Sequence, residues 1–138
     1  MEEATALSER IIDDMADAMI YANRSGVIAR WNRAAEALFG FTAAEALGSR
    51  LDLIIPEHLR AAHWRGFDAA MASGTTRLHG RATVTRAVDK SGRKLYVEMS
   101  FALVHDRQGA VCGTVAVARD VTARVEQERM MARHGGAV

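Results

Sequence analysis

Apolar residues occur at helical spacing at the start of the chain and alternate with polar residues in its second half, before a final charged segment. The segment TALSERIIDDMADAM predicts an amphipathic helix with an acidic outer face, its apolar residues being Leu7, Ile11, Met15 and Ala18. The next segment, MIYANRSGVIARWN, has turn residues between two β-prone runs. This second pattern predicts a hairpin.

Two short helices are predicted after the hairpin. Asn32 is a suitable N-cap for the first, which runs through good helix formers and ends at Gly40. Thr42 and Glu45 have the spacing of a capping box and begin the second, with Gly48 as its end.

The longest helix of the middle segment begins at Pro56 and ends near Ser73 and Gly74. After it, three runs at about 79–88, 94–104 and 110–119 alternate in character and are separated by DKSG and HDRQG. They predict three antiparallel strands in a meander. A charged helix, DVTARVEQERMMAR, follows, and we expect the tail HGGAV to be frayed.

Composition indicates one soluble globular domain. The chain has 138 residues, 49% of them hydrophobic and 25% charged, with a net charge of +1. Basic and acidic residues are interspersed, so we expect no nucleic-acid partner. No apolar run approaches the ~20 residues of a membrane span, and the acidic N-terminus is unlike a signal peptide. We therefore expect a cytoplasmic protein that does not bind membranes.

Catalytic and cysteine-based sites are not indicated. The single cysteine, Cys112, cannot form an intrachain disulfide or a cysteine-rich metal site. The sequence has no glycine-rich phosphate loop, no nucleophile with a base at motif spacing and no paired carboxylates. We expect that the protein is not an enzyme.

One titratable ring lies in an apolar stripe. In PEHLRAAHWRGF, His63 comes four residues after Leu59 and four before Phe67, so the three share a helix face, and Met71 continues it. In the strand RKLYVEMSFALV, alternate residues are expected to face the core, namely Leu95, Val97, Met99, Phe101 and Leu103.

Three segments resemble the PAS family of sensory domains: IARWNRAAEALFGFTAAEALGSRLDLIIPE, DKSGRKLYVEMSFALV and DRQGAVCGTVAVARDVT. The resemblance extends from about Asp14 to Glu126. It implies an α+β fold with a five-stranded antiparallel sheet, short helices packed on one face and flanking terminal helices. The expected organisation is an N-terminal dimerisation helix at 1–18, a PAS core at 19–120, and a C-terminal signalling helix and tail at 121–138.

A closer resemblance concerns haem. PEHLRAAHWRGF is similar to the proximal helix of FixL-type oxygen-sensing PAS domains, in which His63 occupies the place of the haem ligand. The same comparison implies b-type haem, with Met99 as the sixth ligand, displaced by a diatomic gas. Thr83 stands where those sensors have a distal arginine, and Arg81 lies two residues earlier on the same predicted strand face. The expected apolar walls are Leu95, Val97, Phe101, Phe67 and Val115, and the candidates near the propionates are Arg60, Arg65, Arg77 and Arg81.

Other readings stay open at this point. His63 is also compatible with a core histidine satisfied by a carbonyl or water, and Met99 with core filling, in which case His79 is the best substitute ligand. A flavin photocycle is not indicated, since LGSRLDLIIPE lacks a cysteine and Cys112 lies on the last strand. Noncovalent FAD, with Trp31 and Trp64 stacked on it, a small metabolite, or a cofactor-free interaction module are the alternatives.

The terminal helices are the expected route of the signal. ARDVTARVEQE resembles the Asp-x-Thr end of PAS domains, where Asp120 and Thr122 cap a helix and tie it to the sheet. A downstream effector is implied but not named by the sequence. We expect a homodimer through the terminal helices, whose apolar residues are Leu7, Ile11, Met15, Val121, Val125 and Met131.

Overall fold

The computed structural model describes residues 2–76 and 78–135. In chain order it contains α1 (Glu2–Asp14), β1 (Ala18–Asn23), β2 (Ile28–Trp31), α2 (Arg33–Phe39), α3 (Ala43–Ala46), two 3₁₀ turns (Leu51–Ile54 and Glu57–Leu59), α4 (Arg60–Ser73), β3 (Thr83–Val88), β4 (Lys94–His105), β5 (Val111–Asp120) and α5 (Thr122–Gly135). The strands form one antiparallel sheet in the order β2-β1-β5-β4-β3. The predicted hairpin, meander and α+β class are confirmed.

The core lies between one face of the sheet and the middle helices. Alternate strand residues point to this face because side chains along a strand alternate between its two sides. They are buried against residues of α2, of the first 3₁₀ turn and of α4. The central members of this core are Ile20, Val97 and Ala118 from the sheet, and Phe39, Ile54 and Phe67 from the helical layer.

Helix α1 ends four residues before the predicted boundary at residue 18. The cause is the buried side chain of Asn32, whose Nδ2 donates to the carbonyl oxygens of Ile12 at 2.8 Å and Asp17 at 3.1 Å. Its Oδ1 accepts from the backbone N–H of Met19 at 2.9 Å. These bonds hold the segment after Asp14 in a non-helical conformation, and Ala18 becomes the first residue of β1.

The predicted helix caps are largely confirmed. Asn32 caps α2, its Oδ1 accepting from the N–H of Ala35 at 3.0 Å, and Gly40 ends that helix with a φ of 79°. The capping box of Thr42 and Glu45 is present. The second helix ends at Ala46, two residues before the predicted glycine, Gly48.

Strand β3 begins four residues later than its predicted start near residue 79. The backbone before it forms a turn in which the N–H of Arg81 donates to the carbonyl of Leu78 at 3.0 Å. His79 has a φ of 49° and Gly80 a φ of 82°, values that are incompatible with an extended strand. His79 is therefore an exposed turn residue.

The last helix is tied to the sheet as predicted, through Tyr96 of β4. The N–H of Tyr96 donates to Oγ1 of Thr122 at 2.9 Å, and the N–H of Val121 donates to the carbonyl of Tyr96 at 2.8 Å. The Asp120 carboxylate accepts from the N–H of Thr122 at 2.9 Å. Helix α5 includes His134, which we had expected in the tail, and residues 136–138 lie outside the described part of the chain.

Among the residues that the structure describes, no helix combines the length and the apolar character that crossing a membrane requires.

Candidate ligand-binding site

A cavity of about 330 Å³ lies between α4, the first 3₁₀ turn and the inner face of the sheet. A second cavity of about 500 Å³ adjoins it towards the segment that precedes β3. Both volumes are within the ~300–1,000 Å³ range of small-molecule sites. Seven residues line both cavities, so we treat them as one site: Leu51, Ala62, His63, Thr83, Thr85, Phe101 and Thr114.

Small inward-facing side chains leave the space for this site. Ala22 of β1 and Ala116 of β5 line the first cavity, and Thr114 lines both. Larger aliphatic residues at these positions would fill the gap between the sheet and α4, because protein interiors are close-packed. The cavity is therefore a consequence of residue size along β1 and β5.

His63 reaches the cavity from α4. Its Nδ1 atom is buried and has no hydrogen-bond partner. Burial lowers the pKa of His63 below its ordinary value of 6.5, the nearby Asp52 raises it, and Arg50 lowers it further. The net shift is downward, so the imidazole is predominantly neutral at pH 7 and retains a lone pair for a ligand or a metal.

Met99 reaches the cavity from the sheet. It is 5% exposed and lies between Thr83 of β3 and Ala118 of β5 in the strand register. His63 and Met99 thus line the same cavity from the helical layer and from the sheet. Their roles as ligands stay predictions.

Four more of the predicted site residues line the cavity. Val97 lines the first part, Phe67 the second, and Phe101 and Thr83 line both. Thr83 is also directly opposite Met99 in the β3–β4 pairing. The structure therefore brings together six residues that the sequence had placed in one pocket.

Three predicted site residues lie elsewhere. Val115 is on the opposite face of β5, because Thr114 and Ala116 on either side of it point inward. Leu95 is fully buried in the core but does not line the cavity. Arg81 lies before β3 in an exposed turn, where its Nε donates to the carbonyl of Leu78 at 3.3 Å, so it shares no strand face with Thr83.

Of the candidate propionate partners that the structure describes, Arg60, Arg65 and Arg81, none lines the cavity. Arg60 donates through Nε to the carbonyl of Ile55 at 3.0 Å, and Arg65 is exposed. Arg77 lies outside the described residues. Arg86, which sequence reasoning missed, lines the first cavity from the edge strand β3. Its place in the strand alternation directs the side chain to the outer face of the sheet, where the guanidinium carbon lies 5.9 Å from the centre of the Tyr96 ring.

The two tryptophans have other partners. The Nε1 of Trp31 donates to the carbonyl of Phe41 at 2.9 Å, and the Nε1 of Trp64 donates to Oδ1 of Asp52 at 2.7 Å. Neither ring lines the cavity, so stacking of these rings on a flavin in this cavity, one of the alternatives left open by the sequence, gains no support. Cys112 accepts at Sγ from the hydroxyl of Tyr21 at 3.6 Å and also lies outside the cavity lining.

The remaining missed residues include the small inward positions of β1 and β5, and others lie on the first 3₁₀ turn, on α4, on β3 and in the segment before β3. A signal was present in the sequence, because Thr114, Ala116 and Ala118 alternate with Val115 and Val117. Hydrophobicity alone favours the valines as the buried set. The smaller side chains of Thr114, Ala116 and Ala118 would have been favoured as the inward set if a cavity had been expected, because small residues leave space between the sheet and α4.

Comparison with models of protein families matches residues 12–126 to the family described as PAS fold. The chain belongs to the PAS family. The match includes the whole sheet and every helix that borders the cavity, and it confirms the resemblance drawn from the three sequence segments.

Two curated proteins and a solved structure are similar to this PAS domain. The signal transduction histidine-protein kinase AtoS of Escherichia coli K12 is 27% identical over 135 residues, which are 96% of this chain and 21% of AtoS. The oxygen sensor protein DosP of the same organism is 27% identical over 109 residues, 79% of this chain and 13% of DosP. An RNA-binding light-oxygen-voltage receptor has a TM-score of 0.75 at 24% identity, with 96% of this chain and 37% of that chain covered.

This PAS domain thus spans about a fifth or less of the length of the two curated relatives. Its family and these relatives identify it as a sensory PAS domain of signal transduction.

Proposed function

We propose that this PAS domain binds b-type haem through His63, with Met99 as a sixth ligand, and senses a diatomic gas or the redox state of the iron. The observation that carries the proposal is the buried Nδ1 atom of His63, which has no partner and belongs to a ring that lines an apolar cavity. Buried polar groups are nearly always paired, so an unpaired one at a cavity indicates a missing partner.

The donor set fits haem. A neutral imidazole on one side and a thioether on the other are the axial ligands that His/Met haem proteins use. Val97 and Phe101 supply apolar walls. When bound, haem would supply an iron that takes a gas or changes its oxidation state.

The response of the chain would begin at Met99. This residue lies in the central part of β4, and three residues before it Tyr96 forms the backbone contacts that hold Thr122 at the start of α5. Release of the Met99 sulfur would free β4 to shift against its neighbours. The same strand carries the displacement to the C-terminal helix, which is a coupling through one continuous element.

The relatives support each end of this path. DosP is an oxygen sensor by name, and this favours a gas as the signal. AtoS is a histidine kinase by name, and this favours an effector that lies outside this chain. We propose that two copies pair through their terminal helices, because Leu7 and Ile11 of α1 and Met131 of α5 are exposed apolar residues.

A second candidate is a small uncharged ligand bound without a metal. Thr83 and Thr85 of β3 and Thr114 of β5 place three hydroxyl-bearing residues around the same cavity as His63. Such a set would hydrogen-bond a compact metabolite.

The absorption spectrum separates these candidates. Purified protein titrated with haemin should develop a Soret band that saturates at one haem per chain. Protein purified with a blue-absorbing flavin, or protein that stays colourless at haemin excess, would contradict the haem proposal.

A further inference from the structure

The His63 ring contacts two aromatic side chains, and its Nδ1 has no hydrogen-bond partner among the described residues. The ring packs against Trp64 with centroids 4.7 Å apart and planes at 79°, and against Phe67 with centroids 6.2 Å apart and planes at 31°. The edge-to-face contact with Trp64 is the closer of the two, and its geometry is a favourable one for aromatic pairs.

Trp64 is itself fixed on three sides. Its Nε1–H donates to Oδ1 of Asp52 at 2.7 Å. The guanidinium carbon of Arg50 lies 4.0 Å from the centre of the ring, at cation–π distance. Gly26, in the turn between β1 and β2, fits against the indole so closely that a Cβ there would lie 2.3 Å from two ring carbons. The indole therefore has little freedom to rotate or shift.

We propose that Trp64 is the positioning residue of the cavity histidine: Asp52, Arg50 and Gly26 hold the indole, and the indole edge holds the His63 ring in the orientation it presents to the cavity. The proposal rests on the proposed function only in that His63 is taken as the ligand-facing residue. It links the turn between β1 and β2 to the cavity, which sequence reasoning had left unconnected.

The charges around the ring are consistent with this arrangement. Asp52 and Arg50 reach His63 from the segment before α4, with opposite effects on its charge. Arg86 lines the same cavity from β3. Burial is the largest cause of the lowered pKa of His63, and the two groups that hold Trp64 are the charges that act on it next.

The matched test uses two glycines that share a backbone conformation and differ in what they touch. Gly26 has a φ of 77° and Gly48 a φ of 86°, so alanine at either site incurs the cost of a positive φ. A Cβ at Gly48 meets nothing within 4 Å, whereas one at Gly26 meets the indole. Only Gly26→Ala should displace Trp64.

The readout is the ¹H–¹³C NMR signal of the His63 Cε1–H group, measured in the full chain without added haemin. We expect Gly26→Ala to move or broaden this signal and Gly48→Ala to leave it at the wild-type position. A general cost of alanine at a positive φ predicts equal behaviour of the two variants. An unchanged His63 signal in folded Gly26→Ala, or an equal change in both, would overturn the proposal.

A second pair decides the question if Gly26→Ala does not fold. Asp52→Asn and Asp52→Ala both remove the charge, but only Asn keeps an oxygen that accepts from Nε1 of Trp64. The alanine variant should perturb the His63 signal beyond the change seen with asparagine, and identical spectra would contradict the proposal. Because no haemin is present, a protein that fails to bind haem still tests the positioning of His63.

Discussion

His63 of α4 and Met99 of β4 line one cavity, the histidine from the helical layer and the methionine from the sheet. They are 36 positions apart in the sequence, one on a helix and the other on a strand. Their convergence gives a site with one nitrogen donor and one sulfur donor among apolar walls.

If haem binds as proposed, replacement of Met99 by Leu should change the sixth ligand of the iron without loss of haem. Leucine keeps most of the volume, so the cost in stability should stay below about 1.5 kcal/mol. The ferrous spectrum should become that of a five-coordinate high-spin iron. Met71→Leu is the control, because Met71 is buried on α4 but does not line the cavity. A six-coordinate ferrous spectrum in Met99→Leu would show that another group is the ligand.

The pH dependence of stability should report the buried state of His63. Burial lowers its pKa in the folded protein below the value of 6.5 that applies on unfolding. Between those two values the unfolded chain binds more protons, so the free energy of unfolding falls as the pH falls from 6.5 through the folded pKa. His63→Gln should reduce this loss in urea titrations at pH 7 and pH 5. An equal loss in the variant would contradict the burial of this imidazole.

Replacement of Asn32 by Ala should destabilise the N-terminal part of the domain strongly. The side chain accepts from the N–H groups of Met19 and Ala35 and donates to the carbonyls of Ile12 and Asp17. Loss of these bonds, with buried backbone groups left unpaired, should cost roughly 3–5 kcal/mol in chemical denaturation.

Asn32→Asp is the matched control for that variant. It keeps the oxygen that caps α2 but replaces the Nδ2 donor with a second acceptor. Only the bonds to Ile12 and Asp17 should be lost, although the buried charge adds its own cost. Full protection of α1 from hydrogen exchange in Asn32→Asp would contradict the role assigned to Nδ2.

Replacement of Thr122 by Val should loosen α5 from the sheet. Thr122 Oγ1 accepts from the N–H of Tyr96, and the valine side chain has the same shape but no acceptor. We expect a loss of about 1 kcal/mol and faster hydrogen exchange in the first turn of α5, whereas Thr122→Ser should stay close to wild type. Unchanged hydrogen exchange in Thr122→Val would show that the Tyr96–Thr122 hydrogen bond does not hold α5 against the sheet.

Local chemistry made much of the fold predictable. The N-cap at Asn32, the φ-positive Gly40 and the turns between the last three strands are short-range signals that act wherever they occur. The end of α1 was not predictable in the same way, because it depends on Asn32, which bonds back to residues 15 to 20 positions earlier.

The residues of the site were likewise predictable where the signal was local and not where it depended on distant segments. His63 and Met99 could be found from one helical and one strand period. Val115 was misplaced because strand alternation alone does not say which of two sets of β5 residues faces inward. Hydrophobicity favours the valines, whereas the smaller residues Thr114 and Ala116 face the cavity. The role of Trp64 was missed because its partners, Asp52 and Gly26, come from separate segments that only the folded chain brings together.

The haemin titration of three proteins tests the central claim most directly: wild type, His63→Ala and His58→Ala. His58 is an exposed residue of the short turn before α4 and serves as the matched histidine control. Wild type and His58→Ala should bind one haem per chain with a Soret band of equal intensity, and His63→Ala should show only the broad absorption of free haemin. An undiminished Soret band in His63→Ala, or no band in wild type, would contradict the assignment of His63 as the ligand that holds haem.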